Sequence, residues 1–238
     1  MNILAIDTST GTELVAVTTP GASADLTGPA GASHSVTLFA RIDAALAKAG
    51  IAVGAIDLVG VGIGPGSFTG IRIAVSTARM LAQVLGKPLA GIHSPLIWAA
   101  SMEAVPGDCL LAAFDAKKGR VFGALYRRTA DPLAPDVIIH PGDHPIALLA
   151  GGVTQGSRLL VAGQGLEKWE GDITAAVPAA EMLHGFVPSG AIACALAERA
   201  CETDPARCRD FTAVVPFYAR KSDAEVVMEM KGRAGQAP

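Results

Sequence analysis

The stretch ILAIDTSTG at residues 3–11 recurs in altered form as LAAFDAKKG at residues 111–119. In both copies an apolar run, which predicts a buried strand, ends in an aspartate, and a glycine follows four residues later. A second strand-like run comes next in each copy, at residues 14–17 and at residues 121–126. The repeat therefore predicts two β-hairpins of the same design.

A second pair of similar segments follows in the same order. LVGVGIG at residues 58–64 resembles LLVAGQG at residues 159–165, and each is an apolar run that enters a Gly-x-Gly. Two repeated pairs in one order indicate two related lobes. Apolar spacings of three and four between them predict helices, which alternate with the strands and so predict an α/β fold. The predicted helices are helix one at 35–49, helix two at 69–85, a third at 96–103 and one at about 191–201, and further strands are predicted at 89–92 and 159–162.

Composition and charge exclude several classes of protein. Of 238 residues, 50% are hydrophobic and 17% are charged, against about 25% charged in an average globular domain, so most of the chain is expected to fold compactly. The net charge of −3 lacks the basic excess of a protein that itself grips nucleic acid. No apolar run approaches the roughly 20 residues that a membrane span needs, and no secretion signal is apparent. We expect a cytoplasmic protein without membrane contact.

The segment VPG at residues 105–107 is the predicted linker between the two lobes. We expect a first lobe at residues 1–105 and a second, smaller lobe at 106–228, whose last helix can pack back on the first. Residues 229–238 are rich in small and polar side chains and are expected to form a disordered tail.

The most specific local feature is the glycine-rich turn GIGPGSFTGIR at residues 62–72, between a predicted buried strand and helix two. Glycines permit close backbone approach, and the start of a helix offers unpaired N–H groups, so the turn could bind an anion. The Gly-Lys-Ser/Thr end of a phosphate-binding Walker A loop is missing. Tight backbone packing is the alternative explanation for the glycines.

Asp7 and Asp115 end equivalent predicted strands and could face each other across a cleft, where carboxylates hold hydrated Mg²⁺ and hairpin N–H groups hold phosphates. Alternatively, each aspartate only stabilises its own turn. In the second copy Lys117 and its neighbours replace the small residues of the first, which weakens the case for an enzyme. The candidate residues of a vestigial nucleotide or anion site are Asp7, Thr8, Ser9, Gly64, Gly66, Ser67, Asp115 and Lys117.

His140 and His144 have the i, i+4 spacing of many metal sites. Pro141 and Gly142 exclude the regular helix that would place both imidazoles on one face, so a solvated loop is predicted instead. We predict no metal site and no catalytic residue.

Four segments together carry a resemblance to a known family: ILAIDTS at 3–9, GPGSFTGIRI at 64–73, FDAKKGRVF at 114–122 and VPFYAR at 215–220. They are similar to the bacterial TsaB (YeaZ) family, in order from residue 1 to about 225. The resemblance implies a duplicated, two-lobe actin/Hsp70/sugar-kinase-like fold (ASKHA, RNase H-like). It also implies a non-catalytic scaffold that binds and activates a TsaD-type enzyme for threonylcarbamoylation of N6 of the adenosine beside the anticodon in ANN-decoding tRNAs.

The resemblance implies partners as well. A TsaD-like subunit, or a second copy of the chain when TsaD is absent, would contact helices one and two, a TsaE-like ATPase would join, and tRNA would be bound only through the complex. No cofactor is required by this chain, although ATP or ADP could bind near the TsaD contact. The expected contact residues are Leu38, Ile42, Ala45, Arg72, Val75, Arg79 and Ala82.

Two alternatives stay open. Each apolar contact residue could instead face its own sheet, because periodicity does not show which side of a helix is covered. The whole chain could instead be an actin-fold ATPase or small-molecule kinase that uses Asp7 and Asp115 with Mg-ATP. Against catalysis by this chain, His93 is followed four residues later by Ile97, where the TsaD enzyme carries a second metal-binding histidine.

Overall fold

The chain forms two β-sheets, each packed against helices. The structure is a computed structural model and describes residues 1–30 and 34–220, without the side chains of residues 34 and 35. The predicted tail at 229–238, and the last residues of the predicted second lobe from 221 onward, lie outside the described residues.

The first sheet has the order β3-β2-β1-β5-β6, with β4 paired to β2. Strand β1 is antiparallel to β2 and parallel to β5, which is parallel to β6. The strands are β1 (Ile3–Asp7), β2 (Thr12–Thr18), β3 (Ser23–Asp25), β4 (Gly28–Pro29), β5 (Leu58–Gly62) and β6 (Leu89–Ile92).

The second sheet repeats this plan, with the order β11-β10-β7-β8-β9. Strand β7 is antiparallel to β8 and parallel to β10, as β1 is to β2 and β5. The predicted duplication and the two-lobe α/β, actin-like fold are therefore confirmed. The strands are β7 (Cys109–Asp115), β8 (Val121–Arg127), β9 (Asp136–His144), β10 (Leu159–Gln164) and β11 (Ala180–Met182).

The helices confirm the predicted helical segments. Helices one and two and the segment near 191–201 are present as α1, α2 and α6, while the third helix begins and ends two residues earlier than predicted. The helices are α1 (His34–Ala49), α2 (Phe68–Leu85), α3 (Ser94–Ser101), α4 (Ile146–Gly151), α5 (Glu170–Ala176), α6 (Gly190–Thr203) and α7 (Pro205–Arg209), with 3-10 turns at Val53–Ala55 and Phe211–Ala213.

Helix α2 shows why its ends could be predicted. The Ser67 hydroxyl accepts a hydrogen bond from the Gly70 N–H at 3.2 Å and so satisfies one orphan donor of the first turn. Gly86 ends the helix in the left-handed conformation, with φ of 62°, which glycine adopts without a steric penalty.

Side-chain alternation along β1 divides the first lobe into two cores. Leu4 and Ile6 pack with α1 and α2, whereas Ile3 and Ala5 pack on the other side of the sheet with α3, α6 and α7. Helix α6 thus packs on the first sheet although it follows the second in sequence. The lobe boundary at residues 105 and 106 stays a prediction.

One predicted loop is wrong. His140 and His144 lie within β9, which pairs with β8 through Val121 opposite His144 and Phe122 opposite Asp143. The register shifts near Gly123, and β9 is the edge strand of the second sheet. An edge strand tolerates the missing N–H of Pro141. The prediction of a loop took this proline only as a residue that excludes a helix.

Candidate functional site

A cleft of about 690 Å³ lies between the two lobes. Five of the predicted anion-site residues line it, namely Ser9, Gly66, Ser67, Asp115 and Lys117. The other lining residues are Thr10, Gly11, Phe68, Phe114, Ala116, Phe122, Gln164, Gly165, Tyr218, Ala219 and Arg220.

Three N–H groups of the first hairpin turn are already hydrogen-bonded within the chain. The Ser9 N–H donates to Asp7 Oδ1 at 2.7 Å, and the Thr12 N–H donates to Thr10 Oγ1 at 3.1 Å. The Gly11 N–H donates to Oε1 of Gln164, from the other lobe, at 2.5 Å. A phosphate needs such donors turned toward it, so these three are not available in this conformation.

The second hairpin turn is similarly occupied. Asp115 Oδ1 accepts the Lys117 N–H at 2.8 Å and forms an ion pair with Lys168 Nζ at 2.6 Å. Burial raises the pKa of Asp115, but the hydrogen bonds from Lys168 and Lys117 outweigh that effect and lower it. The carboxylate is therefore charged, but its charge is compensated by the chain's own lysine rather than left for a metal ion.

Backbone strain marks the tip of this second turn. Lys117 and Lys118 both have left-handed φ, 59° and 52°, a conformation that costs a non-glycine residue about 1 to 2 kcal/mol. The first hairpin turn has no such residues among those described. The lysines that replace the small residues of the first copy thus alter the turn's chemistry and strain its backbone.

Asp7 and Asp115 do not share a cavity. Asp7 is only 5% exposed and borders a gap beside Trp98 and Pro188 with no room for a water molecule, whereas Asp115 lines the interlobe cleft. Within residues 1–30 and 34–220, no three His, Cys, Asp or Glu side chains group as metal ligands. This placement does not favour a hydrated Mg²⁺ held between the two aspartates.

The glycine-rich turn packs tightly against the first hairpin turn. A Cβ on Gly66 would lie 2.2 Å from the Ser9 carbonyl oxygen, and one on Gly70 would lie 1.9 Å from that of Thr8. The Ser67 N–H donates to the Ser9 carbonyl at 2.6 Å. Gly64 also needs its positive φ of 96°. Of the two explanations for these glycines, close packing has direct structural support.

The predicted apolar contact residues face inward. They are buried in the core between helices α1 and α2 and the first sheet, so the apolar part of that prediction is wrong. The stripe at three- and four-residue spacing is the one each helix turns toward its own sheet. The residues concerned are Leu38, Ile42, Ala45, Val75 and Ala82.

The two predicted arginines lie outside this core. Arg72 is exposed, and its Nε donates to the Tyr218 hydroxyl at 2.7 Å while its guanidinium lies 3.9 Å from the Phe68 ring centre. Arg79 is half-buried; the pKa of Asp210 is lowered chiefly by its hydrogen bonds with Thr212, and the positive charge of Arg79 adds to that effect. Arg72 thus already has partners within the chain.

Helices α1 and α2 expose four other large apolar side chains, here called the outer face. Val36 and Phe39 on α1 are 73% and 48% exposed, and Met80 and Val84 on α2 are 45% and 77% exposed. None of these four side chains was among the predicted contact residues. The sequence does carry a signal for them. Once the buried apolar stripe of each helix is assigned, these apolar residues remain on the side that is otherwise polar.

A family model described as "TsaD: tRNA N6-adenosine threonylcarbamoyltransferase" matches residues 29–172. The chain is 32% identical over 123 residues to the "tRNA threonylcarbamoyladenosine biosynthesis protein TsaB" of Haemophilus influenzae, which is 51% of this chain and 52% of that protein. With the Escherichia coli protein of the same name it shares 33% over 129 residues, 54% and 56% of the two chains. The chain belongs to the TsaD family, in its TsaB (YeaZ) group.

The TsaB group also matches in fold along most of the chain. "YeaZ from Pseudomonas aeruginosa" has a TM-score of 0.75 at 23% identity and covers 91% of this chain and 99% of that one. An uncharacterized protein "with similarity to peptidase YEAZ" from the same organism has a TM-score of 0.78 at 24% identity, with 92% and 99% covered. In sequence, by contrast, the chain spans about half the length of the curated TsaB relatives it matches.

Residues 214–220, here called the C-terminal strap, connect the two lobes of this TsaB-group fold. The Phe217 N–H donates to the Ile63 carbonyl at 2.8 Å, and the Tyr218 ring lies 4.5 Å from that of Phe68. Arg220 then crosses to the second lobe, where its Nε donates to Asp143 Oδ2 at 2.7 Å. The sequence pointed to this segment only through its resemblance to the family.

None of the described helices combines the length and the apolar composition needed to cross a membrane.

Proposed function

We propose that the chain acts in the biosynthesis of threonylcarbamoyladenosine in tRNA, as a non-catalytic scaffold that binds and activates a TsaD-type enzyme. That enzyme would attach the threonylcarbamoyl group to N6 of the adenosine beside the anticodon in ANN-decoding tRNAs. Membership of the TsaB group supports the pathway. The scaffold role rests on one observation: polar groups of the interlobe cleft that could bind a nucleotide already have hydrogen-bond or ion-pair partners within the chain.

In that cleft, the groups that would bind a nucleotide are used to hold the chain's own turns. The Gly11 N–H is bound by Gln164, and the Asp115 carboxylate by Lys168. A triphosphate bound to the Gly11 N–H would have to displace Gln164, and a metal ion bound to Asp115 would have to displace Lys168. The competing proposal of an actin-fold ATPase or kinase is weaker for this reason, and because Asp7 lies outside the cleft.

The outer face of α1 and α2 supports docking of a protein partner. Single exposed apolar residues are normal, but here two lie near the start of α1 and two near the end of the neighbouring α2, and a partner that spans both helices would cover all four. In our proposal a TsaD-type subunit covers it, and a second copy of the chain does so when that subunit is absent. A TsaE-like ATPase, and ATP or ADP near the contact, belong to the same proposal.

The charge of the chain supports an indirect role toward tRNA. A net charge of −3 gives no general attraction to a polyanion, so the catalytic subunit would supply most of the RNA contact. Charge alone therefore favours a partner-binding protein over an RNA-binding one.

Co-purification with the TsaD-type enzyme of the same organism tests the docking surface. Val84→Asp and Phe39→Asp should each abolish co-purification, because an unpaired carboxylate would be buried at the contact. Both side chains are exposed in the free chain, so the melting temperature should stay near that of the wild type. Val105→Asp, at another exposed valine away from both helices, is the matched control and should co-purify normally. Undiminished co-purification of both outer-face variants would count against this surface.

ATP hydrolysis by the isolated chain tests the competing proposal. We expect no turnover above the background of a mock purification. Turnover in the usual enzyme range of about 1 to 1,000 per second, lost in Asp115→Ala, would favour the kinase or ATPase instead.

A further inference from the structure

A second, smaller cavity of about 190 Å³ lies beside the start of α3 and shares no lining residue with the interlobe cleft. Two of its lining side chains are polar, His93 and Arg207. The rest of the lining is apolar apart from backbone, and consists of Ile63, Gly91, Ala213, Val214, Val215, Pro216 and Phe217. The cavity is therefore an apolar space with one cation and one imidazole on its wall.

Within the described part of the chain, one ring nitrogen of His93 and the exposed guanidinium of Arg207 have no hydrogen-bond partner. Nδ1 of His93 is buried and has no hydrogen-bond partner. Arg207 forms no ion pair and no side-chain hydrogen bond, although its backbone N–H is capped by Asp204. An unpaired guanidinium beside an apolar space favours a ligand that is an anion at one end and apolar at the other.

The two polar side chains of the cavity wall differ in charge. Burial is the main cause that lowers the pKa of His93, a hydrogen bond with the Gly64 backbone opposes it, and the positive charge of Arg207 lowers the pKa further. No acidic group contributes to this shift. At neutral pH the imidazole is therefore uncharged, and the guanidinium supplies the charge at the cavity.

The chemistry of the wall favours one class of anion. A guanidinium presents two parallel N–H groups that match the two oxygens of a carboxylate. The same fork also matches phosphate oxygens, but a phosphate would leave the apolar wall in contact with a strongly hydrated group, whereas the hydrocarbon part of a carboxylate would cover that wall. At roughly 30 Å³ for each water-sized group, the volume accommodates about six non-hydrogen atoms.

We propose that this cavity binds a small aliphatic carboxylate of about four to six non-hydrogen atoms. Its carboxylate would pair with the Arg207 guanidinium, and its hydrocarbon part would lie beside the His93 ring and against Val214, Pro216 and Phe217. The inference is independent of the function proposed above, because it concerns a different cavity and needs no partner protein.

Titration of the full chain with sodium butyrate at pH 7.5 and constant chloride, followed by calorimetry, tests the proposal. Butyramide, which has the same shape without the charge, and inorganic phosphate serve as comparison probes. We expect saturable binding of butyrate, at least tenfold tighter than that of either comparison probe. No saturable binding of butyrate, or tighter binding of phosphate, would overturn the proposal.

Two arginine variants locate the binding. Arg207→Gln should weaken butyrate binding at least tenfold, whereas Arg209→Gln, at an exposed arginine on the same short helix but outside the cavity, should leave it unchanged. Equal weakening by both would mean attraction to surface charge only, and no weakening by Arg207→Gln would mean another site. Either result overturns the proposal.

A measurement on the wild-type chain does not depend on any variant. In the ¹⁵N-histidine-labelled protein, the ring signals of His93, assigned by their loss in His93→Gln, should shift with the same midpoint as the calorimetric titration. Signals that stay unmoved at saturating butyrate would contradict the placement.

Discussion

Gly66 and Gly70 hold the glycine-rich turn against the first hairpin turn, because neither position has room for a side chain. Gly66→Ala would place a methyl group 2.2 Å from the Ser9 carbonyl oxygen, so the backbone must shift. We expect the free energy of unfolding to fall by about 1 to 3 kcal/mol, measured by urea denaturation. Gly54→Ala, where a Cβ meets nothing within 4 Å and φ is ordinary, is the matched control and should change it by less than about 0.5 kcal/mol. Equal effects at both positions would contradict the packing explanation.

At the scale of single residues, the sequence shows which positions are constrained but not which other residues surround them. The glycines of the turn were recognised as constrained, yet anion binding and close packing require the same residue there. Asp7 and Asp115 were correctly placed at the ends of equivalent strands. What surrounds them, Trp98 beside Asp7 and Lys168 against Asp115, comes from parts of the chain that are distant in sequence and follow no local pattern.

Among the elements, the C-terminal strap has a pH-dependent attachment to β9. Asp143 accepts hydrogen bonds from Nε of Arg120 and Nε of Arg220, both at 2.7 Å. Burial raises the pKa of Asp143, but the two arginines outweigh it, so its pKa in the folded chain lies below the ordinary 3.8. A lowered carboxyl pKa contributes stability that is complete above the unfolded value and is lost as the pH falls through the folded value.

We therefore expect Asp143→Asn to destabilise the chain by about 1 to 2 kcal/mol at pH 7, since both arginines lose their charged partner while remaining partly exposed. The difference from the wild type should shrink below about pH 4. Urea denaturation at pH 7, 5 and 3.5 measures it, with Asp136→Asn, an exposed aspartate of the same strand, as control. A difference that is unchanged at pH 3.5 would show that the ion pairs do not stabilise the strap.

Most elements were predictable because their apolar periodicity is strong, and α2 also carries clear signals at both ends. Strand β9 was not, since its Pro-Gly pair suits an edge strand as well as a loop. Helices α1 and α2 were correctly predicted in position, but periodicity yields one apolar stripe and does not show what covers it. The structure assigns that stripe to the first sheet and leaves the outer face, including Val84, uncovered.

In the molecule as a whole, Gln164 connects the lobes across the cleft. Its Oε1 accepts the Gly11 N–H at 2.5 Å, and its Nε2 donates to Thr12 Oγ1 at 2.9 Å. Gln164→Ala should speed amide exchange at Gly11 severalfold and lower the free energy of unfolding by about 1 kcal/mol, because the amide loses its acceptor. Hydrogen exchange followed by NMR measures this, and Gln155→Ala, an exposed glutamine of the second lobe, is the control. Unaltered exchange at Gly11 would mean that the cleft does not depend on this contact.

The two-lobe plan was predictable from the internal repeat, because each copy keeps its strand, its aspartate and its glycine. The way the lobes are joined was not. Helix α6 packs on the first sheet and the strap returns to the second, and both contacts join parts of the chain that are far apart in sequence.

The central claim is that the chain works by docking and performs no chemistry in its own cleft. The rate of threonylcarbamoyladenosine formation in tRNA tests this most directly, in a reaction reconstituted with the TsaD-type enzyme and the other components of the same organism. The account predicts that Asp115→Asn supports the wild-type rate, while Val84→Asp loses product formation together with binding. Either of two results would contradict it: loss of product in Asp115→Asn with binding intact, or a normal rate in Val84→Asp.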